Sequence, residues 1–328
     1  MKILVTGAAG YLGSVLTGKL LEKGHEVVGL DALMFGGESL LPFVSHPHFS
    51  LVVGDVRSRE LVEEVIEGVS VVFHLAALVG EPACKVDENL TKEINFEASV
   101  QLADVARAAG VGRFIFSSTC SNYGISDATT LAVETDLLKP LSLYAETKID
   151  TENTLLSLSS EDFGVTILRL ATIFGLSGRM RFNLLINEMV RDAFVGQQIL
   201  LYKEDAWRPY THTIDAANAL YAIMEADRKK VTGEVFNVGT ENLQKKQLVD
   251  LVREIFPDMK VEKKGGTPDN RDYKVSFEKI KNTIGFVPQK TVKEGISEIF
   301  DALQKNMFSN PNDERYSSWI NTSVLKNI

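Results

Sequence analysis

A short, wholly apolar run, Ile3-Leu4-Val5, leads directly into glycines at positions 7, 10 and 13. The helical pattern Val15, Leu16, Leu20 and Leu21 follows, stopped by Gly24. Glycines at this spacing let the chain leave a strand, turn tightly and enter a helix with its first N–H groups free. The rhythm repeats. Val27–Leu30, Leu51–Val53, Val71–Phe73, Phe114–Phe116 and Val165–Leu170 are apolar runs without polar alternation, and helical stretches at Arg59–Ile66, Asn89–Ala109 and Leu143–Leu158 separate the later ones. Strands lacking a polar side must be covered on both faces, which predicts an α/β fold with a doubly wound parallel sheet over residues 1–170.

Past Leu170 the pattern loosens. Strands are expected at Ile199–Leu201, Val235–Val238 and Lys260–Glu262, with helices at Asp215–Ala226, Gln244–Ile255 and Val292–Lys305. This predicts a smaller C-terminal α/β unit from residues 171–208 and 239–308, residues 209–238 returning to the first unit, and a tail over 309–328.

The 328 residues are 45% apolar, enough for a core that needs no crosslinks. Thirty-five basic against 44 acidic side chains leave a net charge of -9, which repels phosphate backbones and argues against a nucleic-acid partner. Cys84 and Cys120 cannot form a disulfide framework, and the five histidines are scattered rather than set at metal-ligand spacing. The longest apolar stretch, Val69–Gly80, is interrupted by His74 and falls short of the ~20 residues of a membrane span. Lys2–Thr6 reads as a strand rather than a leader. The expectation is a cytoplasmic protein with no membrane and no metal.

The segment Gly7-Ala8-Ala9-Gly10-Tyr11-Leu12-Gly13 sits where a Rossmann unit binds a pyrophosphate, its spacing GxxGxxG rather than GxGxxG. Asp31 ends the second strand about 20 residues later, where a carboxylate accepts bonds from both ribose hydroxyls. It would repel a 2′-phosphate, and Ala32–Phe35 supply no cation to receive one. NAD is therefore expected rather than NADP. Asp55 and Val56 end the third strand and are candidates for the adenine edge. Leu75, Ala76 and Ala77 end the fourth, small enough for a cofactor to pass the backbone.

Tyr144 and Lys148 lie four residues apart, on one face of a helix. A free phenol with a pKa near ~10 is a poor base at neutral pH, and a neighbouring ammonium favours its ionised form. Tyr144 is thus expected to take the proton of a substrate hydroxyl as hydride leaves the same carbon. Ser117-Ser118-Thr119, at the end of the preceding strand, supply a hydroxyl to orient that oxygen.

In this order, the glycine segment, Gly54-Asp55, His74–Ala77, Asn95, Ser117–Thr119, Tyr123-Gly124, Tyr144 with Lys148, and Arg208-x-Tyr210-x-His212-x-x-Asp215 resemble the extended short-chain dehydrogenase/reductase family, in its sugar-nucleotide epimerase/dehydratase branch. The resemblance covers about residues 1–305. It implies a catalytic set of Thr119, Tyr144 and Lys148. It also implies that Gly7, Gly10, Tyr11, Leu12, Gly13, Asp31, Asp55, Val56, Leu75, Ala76, Ala77, Asn95, Ser117 and Ser118, together with Tyr144 and Lys148, line or support the NAD site. A homodimer through the helices at 89–109 and 143–158 is implied as well.

Within that branch, 4,6-dehydratases carry an Asp-Glu pair where this chain has Cys120 and Ser121, and the 3,5-epimerases carry a catalytic Cys at the place of Ser121. Both reactions are therefore disfavoured. Redox chemistry at C4 remains, as a 4-epimerase or as a 4-dehydrogenase/ketoreductase of the GDP-heptose type, which the segments Leu78–Lys85 and Leu170–Arg181 resemble. A non-catalytic dinucleotide sensor is the reading from outside enzymology, and the intact Tyr144/Lys148 pair speaks against it.

The resemblance implies a nucleotide-sugar substrate, whose diphosphate calls for arginine forks. Arg208 and Arg271 match best; Arg181 is a further candidate, and Arg179 reads equally as a packing charge. Asn183, Thr119, Cys120, Ser121 and Thr172 complete the expected substrate contacts, Thr172 and Phe174 replacing residues the family usually has as Asn and Tyr. Glu81 reads either as a sugar contact or as a turn carboxylate before Pro82. His212 reads as structural.

Overall fold

The computed structural model describes residues 1–125, 129–265 and 269–318. Its strands are β1 (Lys2–Thr6), β2 (Glu26–Asp31), β3 (Phe49–Val53), β4 (Val71–His74), β5 (Arg113–Thr119), β6 (Gly164–Leu170), β7 (Thr172–Phe174), β8 (Gln198–Tyr202), β9 (Trp207–His212), β10 (Glu234–Val238), β11 (Glu241–Gln244) and β12 (Lys260–Lys264). Among the described residues, seven of them form one parallel sheet in the order β10-β6-β5-β4-β1-β2-β3.

The side chains of β1 alternate between two cores, as the pleat requires. Ile3 and Val5 join Phe73 and Phe236 under the helices Gly13–Glu22 and Thr213–Glu225. Leu4 points the other way, to Val72, Phe114 and Val165, beneath the helices Arg59–Val65, Ala98–Ala108 and Leu143–Leu158. Each of these fully buried aliphatic or aromatic side chains contributes about 1.5–3 kcal/mol. The chain runs outward from β1 through β2 to β3, then crosses to β4 on the other side. The reversal opens a crevice at the carboxyl ends of β1 and β4, the place where such sheets bind ligands.

The second unit holds the sheets β11-β9-β7 and β12-β8. Its core gathers Phe182, Met189, Leu248 and Ile296 from the helices Leu185–Gly196, Lys245–Arg253 and Val292–Gln304 and the loop before them. The helix Thr213–Glu225 and β10 return to the large sheet, while β9 stays with the second unit.

The long helical stretch expected over residues 89–109 is present from Glu88 to Ala108, with one interruption of its α-helical register. Glu88–Lys92 and Ala98–Ala108 are α-helical, and between them Glu93–Glu97 makes one turn of wider π-type helix. Such a turn shifts the helical register, and it commonly marks a functional position. It presents Asn95, fully buried, to the crevice wall.

Candidate active site

A cleft of about 1300 Å³ lies between the two units, over the carboxyl ends of the large sheet. Gly7, at φ +72°, begins its floor. A side chain there would stand 2.9 Å from the Ala76 main-chain nitrogen, and one on Gly13 would overlap the Gly7 carbonyl oxygen. The turn therefore needs bare backbone, the condition for close approach to a pyrophosphate. Gly10, Tyr11, Leu12 and Gly13 continue the floor, and Asp55, Val56, Leu75, Ala76, Ala77, Ser117 and Ser118 line its walls.

Asp31 closes β2 at the cleft edge. Its carboxylate accepts from Ala9 N (2.9 Å) and Leu33 N (2.8 Å), so its orientation is fixed by main chain; burial pushes its pKa up, against these two bonds. Asp55 is held by Arg57, which forks onto both carboxylate oxygens.

The Leu75–Leu78 wall is pinned from behind. Leu75 N and Ala76 N both donate to Thr6 Oγ1 (3.2 Å each), so the Thr6 hydroxyl proton goes to His74 Nδ1 (2.7 Å). His74 Nε2 then carries its proton toward Ser99 Oγ (2.8 Å), which donates in turn to the Asn95 carbonyl (2.8 Å). Burial, with Lys148 adding repulsion, lowers the His74 pKa to about 3, so the ring is neutral in this chain of bonds. Asn95 accepts from Leu78 N (2.8 Å) and donates to Leu78 O (3.0 Å). Asn95 thus acts through Leu78 rather than by lining the cleft. Of the two roles expected for Asn95, lining the NAD site or supporting it, its geometry is that of support, both ends of its amide being engaged with main chain.

Tyr144 and Lys148 project from the helix Leu143–Leu158, capped by Ser142 through Ala145 N. Lys148 Nζ donates to Ser117 O (2.9 Å), lies 4.4 Å from the centre of the Phe116 ring, and is almost wholly buried. Burial lowers its pKa to about 8. The Tyr144 phenol lines the cleft and packs against Leu78, Ala83 and Cys84. Burial, reinforced by Cys84, pushes its pKa up, while Arg181 and Arg271 oppose the rise. Burial is the first cause of that rise, and the Lys148 ammonium is anchored to Ser117 O rather than to the phenol. Thr119 Oγ1 accepts from Ser121 N (3.1 Å), which leaves its own proton available at the cleft surface.

Behind this trio runs a buried network that the motifs did not reveal. Glu152, two turns beyond Tyr144, accepts a short bond from Ser118 Oγ, a bond from Asn122 Nδ2 (2.8 Å) and three from Arg169 (Nε to Oε1 and to Oε2, both at 3.1 Å, and Nη2 to Oε2 at 2.7 Å). Arg169 Nη1 continues to Tyr123 Oη (3.0 Å). The network ties the end of β5 to the catalytic helix. Cys120 falls on the inner side of it: fully buried, its thiol donates to Arg169 O (3.1 Å), and burial pushes its pKa far up. The expected substrate contact by Cys120 is corrected for that reason. Ser121 does face the cleft, accepting from Arg271 Nη1 (2.6 Å).

On the second unit, Thr172, Arg179, Arg181, Asn183, Arg208 and Arg271 all line the cleft. Asp269 lies between two of them, bonded by Arg271 Nε (2.8 Å) and Nη2 (2.9 Å) and paired with Arg208 Nη2 (3.0 Å). Burial alone would raise its pKa; the two guanidinium groups hold it well below the carboxylate range. Arg208 also donates to the carbonyls of Trp207 and Arg271, so it shapes this wall as well as charging it. Lys245, at the start of the helix Lys245–Arg253, joins the cluster; burial first, then Arg208, lowers its pKa to about 8. No motif singled it out, since its position depends on how β11 meets that helix. Glu81 begins a short helix, Glu81–Val86, beside the cleft, and its side chain lies outside the described residues. His212 is buried, its Nε2 3.0 Å from Glu298 and its ring edge-on to Phe174, which places it away from the cleft. No group of three or more metal-ligating side chains occurs among the described residues, and none of their helices is long and apolar enough to cross a membrane.

Comparison with known proteins agrees with this geometry. The chain is 30% identical to a UDP-glucose 4-epimerase of Corynebacterium glutamicum, over 89% of this chain and 92% of that one. The solved UDP-glucose 4-epimerase of Thermotoga maritima, in complex with UDP-glucose, superposes with a TM-score of 0.85 at 27% identity, covering 94% of this chain and all of the other. MoeE5, solved with UDP-glucuronic acid and NAD, gives 0.81 at 26% identity over 93% and 100%. Decarboxylases and 4,6-dehydratases lie at comparable similarity, so kinship alone leaves the reaction open. The family described as "NAD dependent epimerase/dehydratase family" matches residues 3–239, and this chain belongs to it, an NAD-dependent enzyme of sugar-nucleotide chemistry.

Proposed function

We propose that the protein is an NAD-dependent nucleotide-sugar 4-epimerase working through a 4-keto intermediate. The observation that carries this reading is the placement of Thr119 and Tyr144 on the wall of the cleft, with Lys148 buried behind them 6.0 Å from the centre of the Tyr144 ring and no carboxyl group at the two positions that follow Thr119. A dehydratase needs a carboxylic acid and a carboxylate next to Thr119. Here Cys120 is turned inward onto Arg169 O, and Ser121 is engaged by Arg271.

The glycine turn, Asp31, Asp55 and the Leu75–Ala77 wall would hold the dinucleotide, and the bare backbone at Gly7 and Gly13 fits such a group. NAD supplies the hydride acceptor and, on return, the donor. The protein's own part is proton handling and orientation. Tyr144 takes the C4 hydroxyl proton and gives it back, Lys148 holds positive charge beneath it, and Thr119 donates to the same oxygen. Arg208, Arg271 and Lys245 around Asp269 form a cationic wall suited to a diphosphate.

The competing reading is a 4-dehydrogenase/ketoreductase, which the segments Leu78–Lys85 and Leu170–Arg181 resemble. A homodimer through the helices of residues 89–109 and 143–158 belongs to the proposal and is tested by light scattering. For the reaction, the purified enzyme is incubated with UDP-, GDP-, dTDP- and CDP-sugars and followed by NMR and by the absorbance of reduced nicotinamide. C4 isomers without net reduction support the epimerase; stoichiometric NADH makes it a dehydrogenase. A Tyr144→Phe variant is expected to lose at least ~10²-fold in rate while keeping its NAD. Full activity in that variant would overturn the assignment of the base.

A further inference from the structure

The chain does not end at the helix Val292–Gln304. Residues 309–318 fold back along the loop that carries Arg179, Arg181 and Asn183. The seam is built on aromatic packing: the Phe182 ring meets Phe308 and Tyr316 edge-on, with centroids 5.1 and 5.6 Å away, and Phe182 N donates to Tyr316 O (2.8 Å). Around Phe182 the loop alternates, Met180 and Phe182 being buried in the core of the second unit while Arg181 and Asn183 line the cleft. That alternation brings three polar side chains onto the last two described residues. Arg179 Nη2 donates to Ser317 O (2.7 Å), Arg181 Nη2 to Ser318 Oγ (2.8 Å) and Asn183 Nδ2 to the same Ser318 Oγ (2.9 Å).

Ser318 also reaches the opposite wall. Its Oγ lies 3.9 Å from where a side chain on Gly80 would begin, in the loop after β4. It is buried and it lines the cleft. The polar atoms around it are incompletely satisfied. Arg179 Nε, Arg181 Nε and Asn183 Oδ1 are all shut off from solvent without a hydrogen-bond partner. Among the described residues neither Arg179 nor Arg181 forms an ion pair, in contrast to Arg208 and Arg271. Buried polar atoms without partners are uncommon, and a cluster of three in one wall of a ligand cleft points to a ligand that supplies them.

We propose that Ser318 is a positioning residue of the substrate site, its hydroxyl holding Arg181 and Asn183 so that they receive an acidic oxygen and a hydroxyl of the nucleotide sugar. The proposal rests on the nucleotide-sugar reading above and adds the chain's C-terminal segment to the site. A hydroxyl suits the role because it accepts from both side chains at once without neutralising the guanidinium, as a carboxylate would. The cation therefore stays available to an anion.

The test uses the full chain as Ser318→Ala and Ser318→Thr, both checked for wild-type NAD content and thermal midpoint. With the sugar nucleotide that the panel identifies, Ser318→Ala is expected to raise KM by at least about fivefold, the loss falling on KM rather than kcat, and Ser318→Thr to restore it. Without any substrate, phenylglyoxal labelling of Arg181, read by peptide mass spectrometry, is expected to run several-fold faster in Ser318→Ala and at the wild-type rate in Ser318→Thr. An unchanged or lowered KM overturns the proposal, a lowered one because it would make the segment a plug; so does an unchanged labelling rate. Inhibition by the nucleoside diphosphate of the same base separates two sources of the oxygen. A parallel loss of inhibition assigns it to the diphosphate, and an undiminished one to the sugar. If no sugar nucleotide is turned over, the functional reading has failed, and the labelling still reports on the clamp.

Discussion

Lys148 Nζ stands 6.0 Å from the centre of the Tyr144 ring and 2.9 Å from the carbonyl of Ser117, so the ammonium is anchored to the end of β5 rather than to the phenol. Its charge is available to the site through proximity, at the expense of burial that lowers its pKa to about 8.

A stability consequence follows. The folded pKa lies below the ordinary lysine value of 10.5, so between pH 8 and 10.5 the unfolded chain binds the extra proton and stability rises with pH. At pH 7 the buried ammonium destabilises the fold by on the order of 2–3 kcal/mol. Lys148→Met is therefore expected to be more stable than wild type at pH 7 and to lose that alkaline rise, while its turnover falls at least ~10²-fold. Urea unfolding at pH 7 and pH 9.5 measures the first; a Met variant less stable at pH 7 would refute it.

His74 predicts the acid limb. Its pKa falls from 6.5 to about 3 on folding, so the unfolded chain takes up the proton first as the medium is acidified. The corresponding stability, on the order of 4 kcal/mol, is present above pH 6.5 and is lost progressively as pH falls toward 3. Wild type should lose stability between pH 7 and pH 4 more steeply than His74→Asn. Parallel slopes in urea titrations would assign the acid sensitivity to other groups.

Glu152 and Arg169 form an ion pair that is nearly inaccessible to solvent. Removing either partner leaves the other charge buried, so Glu152→Gln and Arg169→Met are each expected to cost about 3–5 kcal/mol. The double variant should cost clearly less than the sum of the two, because neither charge then remains. A double-mutant cycle by chemical denaturation reads the coupling directly, and simple additivity would dissolve the network.

Asp31 has both oxygens oriented by main-chain donors and still faces the cleft. Asp31→Ala is expected to weaken NAD retention at least ~10-fold, without creating an NADP enzyme, since the segment after β2 gains no cation. Cofactor content after dialysis and a NAD titration by calorimetry test this; undiminished retention would remove Asp31 from the cofactor site.

Sequence made some parts of the molecule legible because their physics is local. The strands of the large sheet announce themselves as apolar runs, the glycine turn by spacing, and the Tyr144/Lys148 pair by helical periodicity. What escaped depends on distant chain. β7 has three residues, and β11 reads Glu-Asn-Leu-Gln; neither carries a pattern, and both exist because β9 lies between them. The π-type turn at Glu93–Glu97 has no signature in a helix that otherwise reads as continuous. Cys120, named among the substrate contacts, is instead buried at the start of the short 3-10 turn Cys120–Tyr123, a placement that depends on Arg169 from a distant strand. Ser318 lay in a stretch with no assigned role, and its place depends on an aromatic seam formed with Phe182 from far upstream.

The return of β10 to pair with β6 sets a condition on synthesis. Until residue 238 has left the ribosome, the nascent large sheet ends on β6, a strand buried along its whole length in the finished protein. An open apolar edge of that kind recruits other strands. A fragment ending at residue 170 is thus expected to aggregate rather than fold, and the shortest fragment that stays in solution without aggregating should extend beyond Val238.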